Sequence, residues 1–511
     1  MKKLFSLLLA ATMTFSLTLP ALADHYTYSE PEKSTMMPRS TPETHGMSSQ
    51  YILDLLDAFD YADAEVHNIL MAIDGEVVFE GHYAPYTALD PHIMFSGTKI
   101  FTNAAVGVAV TEGYLHLDDY VYDVLKDYVT QDVSELQSKV QLKHLLTMTS
   151  GVDRFMSGSE LRPLTTSWIE HILTEPIVHE PGTYYLYSSG NTMLSSAMVT
   201  VATGKTCLDL LNTTGFCEEL GIKNFTWDMS PDGFNAGHGG IKITAEDLAK
   251  VGQLYMNGGV WNGKQILSKE WCDLAIGYEK TVENQGDYAY HWTAYEDGLY
   301  YTATGSYGQT LAICPKLNMV IAIQAGTKQN IGELLYQNIF KPYGDALAAG
   351  TVPEPDDALS AALAKRAENL NLMFTTDFTA SPIGELVDDV TFTAAENQYG
   401  ITTLSLDVHD DYIDYTMTDA RGTHTIRNGI WQWLKGETSM TSNYTHHQYQ
   451  YPAYAEWKDA NTLQLTWRFP ELAFVDTLTL TFSDDGSQIG MVRSVNVNSG
   501  PLVCDEVVFT K

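Results

Sequence analysis

After Pro382 the chain becomes almost wholly strand-like, and seven short alternating runs succeed one another. They are Thr402–Val408, Tyr412–Thr418, Thr423–Asn428, Thr462–Phe469, Thr477–Phe482, Met491–Val497 and Leu502–Phe509, parted by turns such as Asp484-Asp485-Gly486. So many short strands predict a small all-β barrel or sandwich over residues 382–511, a unit apart from what precedes it. Trp431, Trp433, Trp457 and Trp467 are expected to pack its core, with a ligand cavity as the alternative. His446-His447 has no acidic or cysteine companion at ligand spacing and is read as surface.

The first 344 residues have a different rhythm. Ile69 to Glu80 reads as strand, Asp74-Gly75 turn and strand, a hairpin signal. Lys99 to Glu112, Asn191 to Val201 and Ala245 to Asn257 have helical spacing, the last with Thr244 as N-cap and Asp247 three residues on. Gln309 to Cys314 and Met319 to Gln324 look like two more strands around a Pro315 turn. Strands at both ends with helices between them predict an α+β fold, an antiparallel sheet packed by helices. Residues 24–344 are taken as this domain, and 345–381, with Gly350, Pro353, Pro355 and a helix at Ala358–Leu372, as linker and helix.

Residues 1–23 have the form of a Sec-type signal peptide. Lys2 and Lys3 precede an apolar run from Leu4 to Leu19, and Ala21-Leu22-Ala23 supplies a cleavage signal after Ala23. A secreted or otherwise extracytoplasmic protein without a membrane anchor after cleavage is expected. The formal net charge of -35, from 64 acidic and 29 basic residues, argues against nucleic acid and anionic lipid as partners. Five scattered cysteines form neither a disulfide scaffold nor a zinc site; Cys207 and Cys217 either pair or remain buried thiols.

Chemistry enters at Phe95-Ser96-Gly97-Thr98-Lys99. Ser and Lys at i and i+3 share one helix face, and a serine in the first turn meets the positive end of the helix dipole. A lysine enclosed by apolar neighbours sheds its charge more easily and could take the serine proton. Alone, the spacing is equally compatible with a helix cap and a surface lysine.

Around this motif the chain resembles the serine β-lactamase and penicillin-binding family, in its class C-like branch, which also holds esterases and 6-aminohexanoate-dimer hydrolases. The resemblance runs from Thr41 to Tyr343. It is carried by the segments 95–99, Glu112–Asp119, His144–Val152, Pro181–Gly190, Gly239–Leu248 and Gly305–Gln309, in that order. It implies a β-lactamase/DD-peptidase-like fold, Ser96 as nucleophile, and Lys99 with Tyr187 as the proton-handling pair. It also implies an oxyanion hole from the amides of Ser96 and Ser306, with Thr304 and Gly305 on the flanking strand. Two positions depart from the family pattern. Ser189 stands where Asn is usual, able to give one hydrogen bond to a substrate carbonyl, with Asn191 a possible substitute. Ala303 stands where Lys or His is usual, removing a cation that would grip a carboxylate.

The expected activity is therefore a serine hydrolase cleaving an ester or amide of a small-molecule or peptide substrate. A D-amino-acid peptidase or β-lactamase, and a non-catalytic binding or sensor protein on the same fold, are the alternatives. No zinc-ligand spacing, phosphate loop or dinucleotide fingerprint appears, so neither metal nor cofactor is expected. The sequence does not specify the oligomeric state.

Overall fold

The computed structural model describes residues 34–511 except 278–281, 283, 285, 297, 352, 374–379 and 441–447. The expected signal peptide, residues 1–23, and His446-His447 therefore lie outside the described residues.

The first part is built on a six-stranded antiparallel sheet. Its strands are β1 (Val66–Ile73), β2 (Glu76–His82), β3 (Thr293–Tyr295), β4 (Tyr300–Gly305), β5 (Gln309–Cys314) and β6 (Met319–Ala325). Their spatial order is β2-β1-β6-β5-β4-β3. The predicted hairpin is present, with Asp74 and Gly75 at φ 53° and 80°, the left-handed pair that a two-residue turn matching strand twist requires. Every residue of β1 and β6 is buried. Leu70, Ala72, Val320 and Ala322 face one hydrophobic core. Ile69, Met71, Ile73, Ile321 and Ile323 face another. A sheet covered on both faces accounts for the near-continuous apolar runs.

The first core holds α2 (Lys99–Thr111), α3 (Ser189–Thr203) and α4 (Ala245–Met256). α2 is buried from Lys99 through Ala109, as a helix that is apolar on every side must be. α4 is capped as expected, Thr244 accepting from the Asp247 amide at 3.2 Å. On the other face lie α1 (Ser49–Tyr61) and α5 (Asp357–Glu368). A helix over Lys341–Ala349 runs through the expected boundary at residue 344, and Leu363 of α5 packs in the sheet's second core. The stretch read as linker thus contributes a layer of the first domain, because its apolar positions find that face.

The second part is a closed barrel. Its strands are β7 (Val390–Ala394), β8 (Thr403–Val408), β9 (Tyr412–Asp419), β10 (Gly422–Ile430), β11 (Leu434–Thr438), β12 (Tyr449–Asp459), β13 (Thr462–Arg468), β14 (Val475–Phe482), β15 (Gln488–Val495) and β16 (Val507–Thr510). The order is β10-β9-β8-β7-β16-β15-β14-β13-β12-β11, and a parallel pairing of Gly429–Ile430 with Tyr454–Ala455 joins β10 to β12. Nine strands close the cylinder and β11 lies outside it. Three strands exceed the seven expected. β12 carries Pro452 and is buried almost throughout, so it lacks the alternation that marks a strand; β7 and β11 are five residues each. The tryptophans divide: Trp457 and Trp467 fill the barrel core, while Trp431 is exposed.

Polar contacts fasten the barrel to the sheet. Buried Arg468 pairs with Glu65 at 2.8 Å, and Glu65 also accepts from His67 at 2.9 Å. Asn496 donates to the Gly326 and Ala473 carbonyls, each at 3.0 Å. Lys242 pairs with Glu471 at 2.5 Å, and the Ile93 amide donates to the Glu471 carbonyl at 3.0 Å.

Candidate active site

Ser96 lies in a short 3-10 turn, Phe95–Thr98, that leads directly into α2. Phe95 enters it at φ 43°, a left-handed backbone uncommon for a residue with a bulky side chain. At the second position of the turn the Ser96 amide is one of the donors for which a helix start supplies no acceptor. Lys99 begins α2 and is almost wholly buried. Its Nζ donates to Ser96 Oγ at 3.0 Å and to the His238 carbonyl at 3.1 Å. It also lies 4.9 Å from the centre of the Tyr187 ring, within cation–π range. The amine is thus held against the hydroxyl by a carbonyl on one side and an aromatic face on another. Over the same 3.0 Å a neutral amine can accept the hydroxyl proton.

β4 forms the opposite wall. Thr302 and Thr304 line the cavity, followed by Gly305 and Ser306. A Cβ on Gly305 would stand 2.0 Å from the Met94 carbonyl oxygen, so this strand approaches the serine turn more closely than any side chain permits. That approach sets the Ser306 amide beside the Ser96 turn.

Ser96, Lys99, Tyr187, Thr304, Gly305 and Ser306 meet at one cavity of about 380 Å³. Ser189 is not among its lining residues. It is the first residue of α3, buried, with its amide bonded to the Met156 carbonyl at 2.9 Å. The helix starts two residues earlier than its apolar spacing shows, and this turns Ser189 into the wall. Asn191 is likewise buried, its amide group 3.5 Å from Met148 Sδ. Ala303 packs in the core beneath the sheet, its alternate neighbours Thr302 and Thr304 facing the cavity.

Sequence reasoning missed Tyr185, Tyr288 and His291, all of which line the cavity. The run Tyr288-Ala289-Tyr290-His291-Trp292 carried the signal, but it has no regular period to place it. Burial, with Tyr187 next, pushes the Tyr185 phenol up to about 12, and burial does the same more strongly for Tyr288. Both stay neutral, capable of donating a hydrogen bond to a bound group. His291 is held at φ 70° with Nδ1 3.0 Å from the Lys99 carbonyl. That contact requires the proton on Nδ1 and leaves Nε2 as an acceptor. Burial and the Lys99 charge lower it to about 3, and the same two causes hold His238 well below the ordinary histidine range. The site therefore contains two neutral imidazoles beside a lysine.

Among the described residues one group, Glu160, His171 and Glu175, has metal-ligand spacing. Arg154 already bridges its two carboxylates at 2.8 and 2.5 Å. The five cysteines are all free thiols.

The Beta-lactamase family model matches residues 67–328, just over half of the sequence, and the chain belongs to that family. Over 274 residues it is 24% identical to 6-aminohexanoate-dimer hydrolase of Paenarthrobacter ureafaciens, covering 48% of this chain and 69% of that protein. A 160-residue stretch is 27% identical to the acyltransferase mokF of Monascus pilosus, covering 27% of this chain and 38% of that protein. A Bacillus anthracis structure assigned as a 6-aminohexanoate-dimer hydrolase aligns with a TM-score of 0.52 at 21% identity, over 63% of this chain and 90% of that one, a likeness of fold. By family the chain is a β-lactamase-fold hydrolase.

Proposed function

We propose that the chain is a secreted serine hydrolase that cleaves an ester or amide through an acyl-enzyme on Ser96. The observation that carries this reading is the 3.0 Å contact between Lys99 Nζ and Ser96 Oγ inside a cavity that also holds Tyr187, Gly305 and Ser306. Lys99, as the amine, takes the hydroxyl proton while Ser96 Oγ bonds to the substrate carbonyl carbon. The oxyanion is stabilised by the Ser96 and Ser306 amides. Tyr187, over Lys99, passes a proton to the leaving amine or alcohol, and the carbon–leaving-group bond breaks. Water then attacks the ester, its proton passing through the same pair to Ser96 Oγ as the carbon–Oγ bond breaks and the acid is released. Relatives named a 6-aminohexanoate-dimer hydrolase and an acyltransferase support this reading.

With Ala303 in the core and only Thr302 and Thr304 facing the cavity, β4 brings no cation to the site, which favours neutral acyl groups over penicillins or peptidyl-D-Ala-D-Ala. The rings of Tyr185, Tyr187 and Tyr288 with the hydroxyls of Thr293, Thr302 and Thr304 give a wall that suits an uncharged acyl group able to accept hydrogen bonds. Covalent labelling by a fluorophosphonate, lost in Ser96→Ala, tests the nucleophile. A protein that resists labelling across pH 6–9 is instead a binding or sensor protein on this fold. Release of D-Ala from muropeptides would move the assignment to a D-amino-acid peptidase.

A further inference from the structure

A barrel side chain packs against the catalytic turn. Phe474, in the connection between β13 and β14, is buried against Phe95 and Tyr307. Its ring centre lies 6.0 Å from that of Phe95 and 5.7 Å from that of Tyr307, and those two are 5.4 Å apart. All three pairs meet edge to face, the arrangement that aromatic quadrupoles favour. We propose that Phe474 is a positioning residue for acyl transfer, fixing from the barrel the backbone that presents both oxyanion amides. This rests on the reading of Ser96 and Ser306 given above.

The chain positions explain why this contact matters. Phe95 immediately precedes Ser96, and Tyr307 immediately follows Ser306. Each has a left-handed backbone, φ 43° and φ 65°, that an aromatic residue adopts only when its surroundings impose it. The Tyr307 carbonyl accepts from Thr327 at 3.1 Å, and its phenol has the barrel's Ser499 as a hydrogen-bond neighbour. The two strained residues are therefore wedged side by side with Phe474 closing the third side.

Phe474 is itself held in place. The preceding Ala473 carbonyl is bound by Asn496, which also binds Gly326 at the end of the sheet. Glu471 takes the Ile93 amide on its carbonyl and Lys242 on its carboxylate. The connection is clamped at one end to Ile93, three residues before the serine, and at the other through Asn496 to Gly326, just after β6, so the ring cannot recede without breaking those bonds. Removing it opens space beside both amide-bearing residues and lets their backbones relax.

The test compares full-length wild type, Phe474→Ala, Phe474→Leu, Phe474→Tyr and Phe509→Ala, with p-nitrophenyl butyrate turnover, fluorophosphonate labelling rate and thermal melting. Phe509 is a buried barrel residue outside the three-ring cluster and reports simple loss of barrel stability. The expected result is a kcat fall of about tenfold or more for Phe474→Ala with KM within about twofold, and labelling slowed in proportion. Phe474→Leu, which keeps apolar volume, falls less; Phe474→Tyr, which keeps the ring, stays near wild type. Phe509→Ala melts earlier with kcat retained. Wild-type kcat in folded Phe474→Ala or Phe474→Leu overturns the inference, as does an equal fall in Phe509→Ala. Wild type that neither labels nor turns over brings down the Ser96 reading and this inference with it.

Discussion

Replacing Gly305 by alanine separates the geometry of the oxyanion hole from everything else in the site. The glycine sits at φ -123° and ψ 161°, extended backbone that alanine adopts without strain. The added Cβ would stand 2.0 Å from the Met94 carbonyl oxygen, whereas real Cβ atoms keep at least 3.0 Å. That obstacle is backbone and cannot swing aside, so β4 and the serine turn must part by about 1 Å. A displacement of this size at a reacting centre costs roughly 100-fold. Losing one oxyanion donor outright costs roughly 100- to 1,000-fold in kcat. We expect Gly305→Ala to fall in that range with KM little changed, since the tyrosine lining is untouched. Steady-state turnover of p-nitrophenyl butyrate, with the burst amplitude to count acylated serine and circular dichroism to confirm folding, reads it out. A folded Gly305→Ala variant within fivefold of wild-type kcat would refute the assignment of the Ser306 amide.

Arg468→Met strands a largely buried Glu65 carboxylate and should cost about 3 kcal/mol in urea unfolding, with Glu65→Gln on top recovering part of the loss; equal stability of single and double variants would count against the pairing. His67, His92, His238 and His291 are kept neutral by burial, so the unfolded chain binds more protons below its ordinary histidine range of about 6.5. Stability is therefore full above pH 7 and declines as pH drops, the His291 contribution falling by roughly 1 kcal/mol per pH unit toward pH 3. A melting temperature flat from pH 7 to 4.5 would contradict this. Glu65 adds to the loss at lower pH: burial raises it, but Arg468 and His67 outweigh burial and hold it near 2, so its contribution disappears as pH falls from about 4.5 toward 2. Nitrocefin should be turned over far more slowly than p-nitrophenyl butyrate, and strong nitrocefin hydrolysis would show that a cation at position 303 is dispensable.

The parts of the fold set by local chemistry were legible in the sequence. Asp74-Gly75 fixed a turn, Thr244 began a helix, and the apolar runs of β5 and β6 needed no partner to be recognised. Ser96, Lys99 and Tyr187 were legible because the spacing of the first two is a property of one helix and the family pattern supplied the third. What escaped depends on contacts between distant segments. Ser189 looked available until α3 proved to begin there. His291 takes its role from a carbonyl at Lys99, 192 positions away. β12 hid its strand character because both of its faces are covered, and nothing near Phe474 in sequence indicates that its ring lies against Phe95.

The barrel's closure also orders events in time. β7 pairs with β16, joining Thr393 and Ala394 to Thr510 and Phe509. The cylinder cannot be sealed until its last strand has arrived, and pairings of such long sequence separation form late. The sheet and its two helical layers can assemble before then, from segments complete at the end of α5, Glu368. If the ring of Phe474 is what steadies the serine turn, newly made protein passes through a stage with its core already packed and its reactivity still low. Acyl-transfer competence then appears with barrel closure, and a refolding experiment would see activity lag behind the burial of tryptophan Trp292 in the first domain.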